Sequence, residues 1–472
     1  MFLLCLTLPA RADVSFLRDV APILIQRCTA CHGERKDSGD FRAQTFENLM
    51  HTGSPDEIPV VPGRPEKSAL FKLISSADPD ERMPQKDDPL SPQHIEIIRK
   101  WIAQGARFDG ADKTAAIKSL LGPRQHPLAP AVYRVAAPVM AVAFGPGGKE
   151  LAAGGYNEVT IWDPATGNLL RRIPHLPQRI QAAHYSQDGH ELLIAGGTPG
   201  DYGELTIADP TASNPPRVLD TFDDIVLACA YGPDGKRIAA GGADQSVRLY
   251  DRQTGKRLWT ARLHADWVTA VAFSSDGRFV LSASRDMTVK VYDAATGSLY
   301  TSYAGHNRQI GAHKGSGPVY DVVCSPDSPL TMSAGGGQWI QLWEPDIVKA
   351  DAGTAGDLEE RFAKGGHTRY IEHGLGREIY RLALSKDKLF AASRDGAIKL
   401  FDLASLKEVR AFTGQTDWVF GLDFSADSGL LASGSADGQV RIWEADSGKP
   451  ISNFYAAPGL VAAKSNGAAS AK

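Results

Sequence analysis

Seven short segments of one 472-residue chain end alike. VTIWD closes at Asp163, LTIAD at Asp209, VRLYD at Asp251, VKVYD at Asp293, IQLWE at Glu344, IKLFD at Asp402 and VRIWE at Glu444. The acidic ends lie 46, 42, 42, 51, 58 and 42 residues apart. A period of this length marks a repeated supersecondary unit that cannot bury its apolar face alone and must stack on its neighbours. Each unit opens on an alternating run into a turn, as in AVAFSSDG (270–277) and GLDFSADSG (421–429). Most then show a polar turn before the closing strand, as in SRDMTVKVYD (284–293). Two-residue alternation bounded by Gly, Asp and Ser reads as strand, turn, strand. The 47 glycines and 29 prolines supply many such turns. Seven four-stranded units close into a ring with no long exposed edge. The expectation for 131–457 is an all-β, seven-bladed propeller whose last blade is completed by AVYRVAA (131–137) or KPISNFYAA (449–457).

The chain before residue 131 has a different texture. Overall charge gives no direction: 51 Lys and Arg oppose 55 Asp and Glu, a net of −4. That balance excludes a general nucleic-acid binder, which needs a basic surface to displace phosphate counterions. No apolar run reaches the ~18 residues of a membrane span, so no integral membrane segment is expected in the mature chain. Five cysteines are too few for a disulfide scaffold, and their positions carry the information. Cys28-Thr29-Ala30-Cys31-His32 is C-x-x-C-H. Two thiols at this spacing can each add to one vinyl group of a single haem, and the adjacent imidazole then reaches the iron. The competing readings are a zinc half-site and a thioredoxin-like pair. A zinc site wants a second ligand pair, yet the next cysteine is Cys229 and His51 stands alone. A thioredoxin-like pair wants a βαβ frame, and the flanks here are helical. One covalent haem c, with its iron, is the expected cofactor. Cys229 and Cys324 fall in first strands of blades three and five, where buried thiols act as small hydrophobes.

Residues 15–27 and 92–104 carry apolar positions at helical spacing. Pro22 interrupts the first; Ser91 and Gly105 bracket the second as cap and stop. Trp101 packs on the porphyrin or in ordinary core. The iron's sixth ligand is sought among Met50, His51, Met83 and His94. Met83 is preferred because Pro84 stiffens its loop, with His51 or an open position as alternatives.

The runs VAPILIQRCTACHG, VPGRPEKSAL (61–70), RMPQKDDPLS and IRKWIAQGA (to Ala106) resemble the planctomycete-type cytochrome c domain. The resemblance implies covalent haem on Cys28 and Cys31, with His32 and Met83 on the iron, in a small all-α, class I-like cytochrome c. The seven closures resemble the WD-repeat family. That likeness implies that Asp244, Asp286, Asp395, Asp437, His264, His306 and His367 brace blades and do no chemistry. Blades two and five depart from the pattern, with Ala208 in place of the aromatic and GGGQ (335–338) in place of the Asp turn.

The expected organisation is a signal peptide (1–12), a cytochrome c domain (13–112), a linker (113–130), the propeller (131–457) and a disordered tail (458–472). The apolar run 2–9 followed by Ala10-Arg11-Ala12 has the form of a cleaved export signal, which fits a periplasmic c-type cytochrome. No lipid anchor is expected at Cys5. The leading expectation is electron transfer, with the propeller as docking platform for a redox protein partner. A haem-dependent oxidoreductase with a further site in the propeller, and a redox-sensing scaffold, are the alternatives. Two long segments, containing His313 and His373, precede the first strands of blades five and six. They are read as ordinary long loops, as a docking ridge, or as a second metal site.

Overall fold

The computed structural model describes residues 13–29, 31–33, 36–37, 41–51, 58–85, 88–121, 124–307, 317–351, 369–376 and 378–460. The expected signal peptide, most of the tail, His313 and His367 lie outside the described residues. The chain divides into two compact units between Arg124 and Gln125.

The first unit is a set of short helices. A wide helical turn, Phe16–Val20, opens it, with Ser15 Oγ accepting from Arg18 N at 3.0 Å. It passes into α1 (Ala21–Arg27) just before Pro22. Proline has no N–H to continue the preceding ladder, so the winding changes where the sequence placed the interruption. Then come α2 (Phe46–His51), α3 (Ala69–Ser75), α4 (Pro92–Ala103) and α5 (Ile117–Leu120). Ser91 Oγ caps α4 by accepting from His94 N, and Gly105 beyond its end takes φ +99°. Phe16, Val20, Leu24, Leu49, Ile98, Trp101 and Ile102 form the dry centre. Trp101 is core: its ring lies 5.4 Å from Phe16 and 6.3 Å from Phe46, and Nε1 donates to Arg107 O at 2.9 Å. Ile117 of α5 is buried and donates its N–H to Gln44 O, which ties the start of the segment read as linker to this unit.

The second unit is a seven-bladed propeller. Every blade is a four-stranded antiparallel sheet made from four consecutive strands. Blade one runs Val142–Phe144, Leu151–Gly154, Val159–Trp162, Leu169–Ile173. Blade seven runs Val419–Ser425, Leu430–Ser435, Gln439–Glu444, Pro450–Tyr455. The 449–457 segment therefore completes blade seven, and 131–137 contributes no strand. Tyr133 instead donates its hydroxyl to Glu158 Oε1 at 2.7 Å, pinning that segment against blade one. Just before it, His126 Nε2 pairs with Glu204 Oε2 at 2.7 Å, with both side chains at most 5% exposed.

The ring closes between blades seven and one without a shared strand. Asp423 Oδ2 accepts from Phe144 N at 2.7 Å, Val139 N donates to Ser435 O at 3.1 Å, and Phe454 stacks on Trp162 at 4.5 Å. Asp321 makes the equivalent bridge from blade five to Leu382 N of blade six at 2.8 Å. Both aspartates line a central channel of about 340 Å³, together with His184, Cys229, Cys324 and Arg381. Cys229 is buried as expected, whereas Cys324 is half-buried and faces the channel.

Burial pushes the Asp423 carboxyl up to about 6, against the pull of the N–H groups of Phe144 and Phe424. Its folded pKa thus exceeds the ~3.9 of an unfolded aspartate. The folded state holds the proton more tightly, so its contribution to stability is complete below about pH 4 and is lost as pH rises through 6. Asp423→Asn keeps an oxygen for Phe144 N and removes the charge. The variant is expected to lose less stability between pH 4 and 7 than the parent, by at most about 3 kcal/mol because a half-buried carboxylate facing the channel is partly screened. Denaturant melts of both proteins across that range check this.

The polar turn residues brace blades. His264 Nδ1 meets Asp286 Oδ2 at 2.8 Å and Nε2 meets Ser282 Oγ at 2.7 Å. Asp244, Asp395 and Asp437 each accept hydrogen bonds within their own turns. His306 meets Ser333 Oγ at 2.9 Å. In blade five the GGGQ turn is glycine for a steric reason: a Cβ on Gly335 would lie 1.9 Å from Pro318 O.

Blade five corrects one expectation. Arg369–Glu372 is its fourth strand, paired Ile340↔Ile371 with Trp339–Trp343, not a loop leading into blade six. The extra length falls inside blade five, where a short helix, Pro345–Asp351, follows the third strand. Only Ile371 of this strand is buried, so a four-residue segment far from its partner has almost no alternation to betray it. His373 is 1% exposed; its Nε2 donates to Gly337 O at 3.1 Å and its Nδ1 accepts from Leu375 N at 3.0 Å. Burial lowers its pKa. Both ring nitrogens are thus committed to backbone, which removes His373 from a docking ridge and from a second metal site.

Candidate functional site

The site grows out of the end of α1. Cys28 N donates to Leu24 O at 2.9 Å, and Cys31 N and His32 N both donate back to Cys28 O, at 3.2 and 2.9 Å. The C-x-x-C-H segment is therefore a continued turn and not a loop. It sends the two thiols to different places. Cys28 is 9% exposed and belongs to the unit's core; Cys31 is exposed. Burial pushes the Cys28 thiol up to about 12, against the neighbouring Arg27 charge. A thiol so placed stays protonated at neutral pH, unlike the thiolate of a redox-exchange pair.

The turn is tight enough to dictate Gly33. A Cβ there would lie 2.3 Å from Thr29 O, a backbone atom that cannot move aside. Gly33→Ala is expected to destabilise the unit by about 1–3 kcal/mol and to lower the fraction of chains that carry haem. Unfolding curves and the haem-to-protein absorbance ratio measure the two effects.

His32 Nδ1 lies 3.2 Å from Phe41 O, and the ring packs on Phe41 with centroids 5.2 Å apart. Ala43 N donates to His32 O at 2.7 Å and holds the segment that carries Phe41 in place. A carbonyl accepts only, so Nδ1 is the donor here, which leaves Nε2 as the nitrogen available to a metal. A hydrogen bond of this kind is what orients a metal-ligating histidine.

Met83 is anchored to α3, its N–H donating to Leu73 O at 3.0 Å. Its half-buried side chain packs against the same core cluster that contains Cys28. Met50 also packs there. His51 is exposed at the end of α2 and opens with Met50 onto a separate cleft of about 490 Å³, lined by Phe46, Phe108 and Lys113. None of Cys28, Cys31, His32 or Met83 lines that cleft. His94 sits in the first turn of α4. Among the described residues no three His, Cys, Asp or Glu side chains gather into a metal-binding group.

The donor set fits a covalently held haem: two thiols on one turn, an imidazole with Nε2 left available, and a thioether on the same core. Neither Phe41 O nor the Gly33 contact was legible in the sequence. The first is a backbone atom nine residues away, and the second depends on how tightly the turn closes.

Residues 28–87 match the family model for planctomycete cytochrome C, a span that holds Cys28, Cys31, His32 and Met83. Residues 214–251, 255–293 and 406–444 match the WD domain, G-beta repeat, each ending on an acidic closure. The chain thus carries a segment that matches planctomycete cytochrome C ahead of a seven-bladed propeller that matches WD repeats. Among curated proteins it is similar to the small ribosomal subunit protein RACK1y of Oryza sativa subsp. japonica, 28% identical over 158 residues, covering 31% of this chain and 38% of that protein. It is similar to the target of rapamycin complex subunit wat1 of Schizosaccharomyces pombe, 29% identical over 120 residues, covering 25% and 32%. It is also similar to apoptotic protease-activating factor 1 of Danio rerio, 25% identical over 150 residues, covering 27% and 12%. The chain thus spans between 12% and 38% of the length of these relatives. No helix among the described residues is long and apolar enough to cross a membrane. In the planctomycete cytochrome c segment the matched span begins on Cys28 itself and includes the short helix α3 that anchors Met83.

Proposed function

We propose that this chain is an exported electron-transfer protein carrying one haem c, with the propeller as the surface on which a redox protein partner docks. The observation that carries the reading is His32: in a C-x-x-C-H turn, its Nδ1 is spent on Phe41 O and its Nε2 is left for iron. In this reading Cys28 and Cys31 would hold the haem through thioether bonds, and His32 Nε2 and Met83 Sδ would bind its iron. The haem, when bound, supplies the Fe(II)/Fe(III) couple. The chain's residues do the rest. The Phe41 carbonyl fixes the imidazole, the apolar core around Leu24 and Ile98 excludes water, and Pro84 stiffens the loop that presents the thioether. With both side chains bound, the iron would have no open position for oxygen or peroxide. The small-x-small segment at 10–12 supports export, since covalent haem attachment and export go together in the family resembled. A propeller of this kind offers a broad rigid surface for proteins, and the names of the similar curated proteins, two of them subunits of larger assemblies, agree with a docking role.

Full-length holoprotein, immobilised and exposed to a periplasmic extract, is expected to retain a redox protein that exchanges electrons with the haem at a rate saturating with concentration. A holoprotein inert to every redox protein it retains, yet consuming peroxide or oxygen at its own iron, would overturn the reading in favour of an enzyme.

A further inference from the structure

Arg82 stands beside Met83 and follows three carboxylates, Asp78, Asp80 and Glu81. A solvent-facing arginine in such company ordinarily pairs with one of them. Arg82 does not. Its backbone N–H bonds to Asp78 O at 2.9 Å, but its side-chain Nε is buried and has no hydrogen-bond partner. Arg27 Nε is likewise buried without a partner, but there the guanidinium is held through its terminal nitrogen, which donates to Asp88 O. Leaving a buried donor on a cationic group unmatched costs the full desolvation penalty of that group. The Arg82 side chain as a whole is half-buried, and its Nε is withdrawn from solvent although three carboxylates precede it within four residues. The position is also fixed: Met83 N is held by Leu73 O, so the Arg82–Met83 peptide is anchored to α3.

A haem brings its own anions. Each carries two propionate carboxylates, and a propionate drawn into protein needs a cationic, forked donor to replace water. Guanidinium is suited to this because its planar N–H groups match a carboxylate and it stays charged when partly buried. We infer that Arg82 is a propionate anchor, pairing its guanidinium with a carboxylate of the haem held by Cys28 and Cys31. The inference rests on the haem reading above. It adds that one residue serves two ends: it satisfies the buried Nε and places a positive charge near the iron. A nearby positive charge favours Fe(II) over Fe(III), and removing it leaves an unmatched propionate charge that favours Fe(III).

The experiment uses the full-length holoprotein in four forms: parent, Arg82→Lys, Arg82→Gln and Arg82→Leu. Covalent haem in the parent is measured first; its absence sinks the haem reading itself and not this inference alone. The ratio of reduced to oxidised haem is then read at one fixed ambient potential, together with the sulfur–iron absorption band. The expected result is a fall in the ratio of about tenfold in the Gln and Leu variants, with the band retained, and a change within about twofold for Lys. Loss of haem loading in Gln and Leu with full loading in Lys also supports the anchor, since loading then depends on charge and not on shape. An unchanged ratio in the Leu variant with its band intact overturns it. So does equal loss of haem in all three variants, which marks Arg82 as a packing residue.

Discussion

Acid-acetone extraction of the purified chain is expected to leave its colour on the polypeptide, at one iron per chain. The reason lies in the turn at the end of α1, where Cys28 and Cys31 sit three positions apart on one backbone loop closed by Cys28 O. In the Cys28→Ser/Cys31→Ser double variant no thioether can form and the colour leaves with the solvent. The first unit should lose apparent stability by about 4 kcal/mol or more, the shift expected when a ligand held a thousandfold above its dissociation constant is removed. The single variants should differ. Cys28→Ser buries a hydroxyl where a nearly dry thiol sat, so it costs folding as well as a thioether. Cys31→Ser changes an exposed position and costs chiefly the bond. Extractable haem in the parent, or two irons per chain, contradicts the one-site assignment.

Met83→Ala is expected to abolish the far-red sulfur-to-iron band of the oxidised protein while leaving the haem covalently attached. Met83→His should bind the iron and lower its potential, because imidazole donates more strongly to Fe(III) than a thioether does. The alanine change also removes a half-buried side chain from the edge of the core, which adds a stability loss of roughly 2 kcal/mol visible in denaturant melts. A band that survives the substitution places the thioether elsewhere, and Met50, which packs on the same core, is the first residue to test.

Much of this molecule is written locally. The alternation of VRLYD or VKVYD, repeated at a period near 42 residues, dictates stacked four-stranded sheets because a strand with one apolar face must cover it with the next. The C-x-x-C-H spacing is equally local, a pattern of five adjacent residues that no distant contact is needed to read. Helix α4 was legible from cap to stop, because Ser91 and Gly105 act on neighbouring backbone alone. Those features settle what the chain is made of without reference to any distant residue.

The tertiary structure decided what depends on residues far apart in the chain. Sequence left two segments competing to finish the propeller. The choice fell to 449–457 because Pro450–Tyr455 pairs with Gln439–Glu444, leaving Asp423 and Phe144 to close the ring 279 residues apart. RYIE at 369–372 became a strand because Trp339–Trp343 offered an unpaired edge; its own four residues carry too little pattern to announce it. His373 passed from candidate ligand to buried backbone partner for the same reason. Trp101 went to the core because Phe16 and Phe46 meet there. The proton on His32 is placed by a carbonyl whose residue type is irrelevant. Periodicity and spacing are properties of neighbours and can be read along the chain, but which edge, carbonyl or carboxylate a group finally meets is set by packing, and packing joins positions that no local pattern connects.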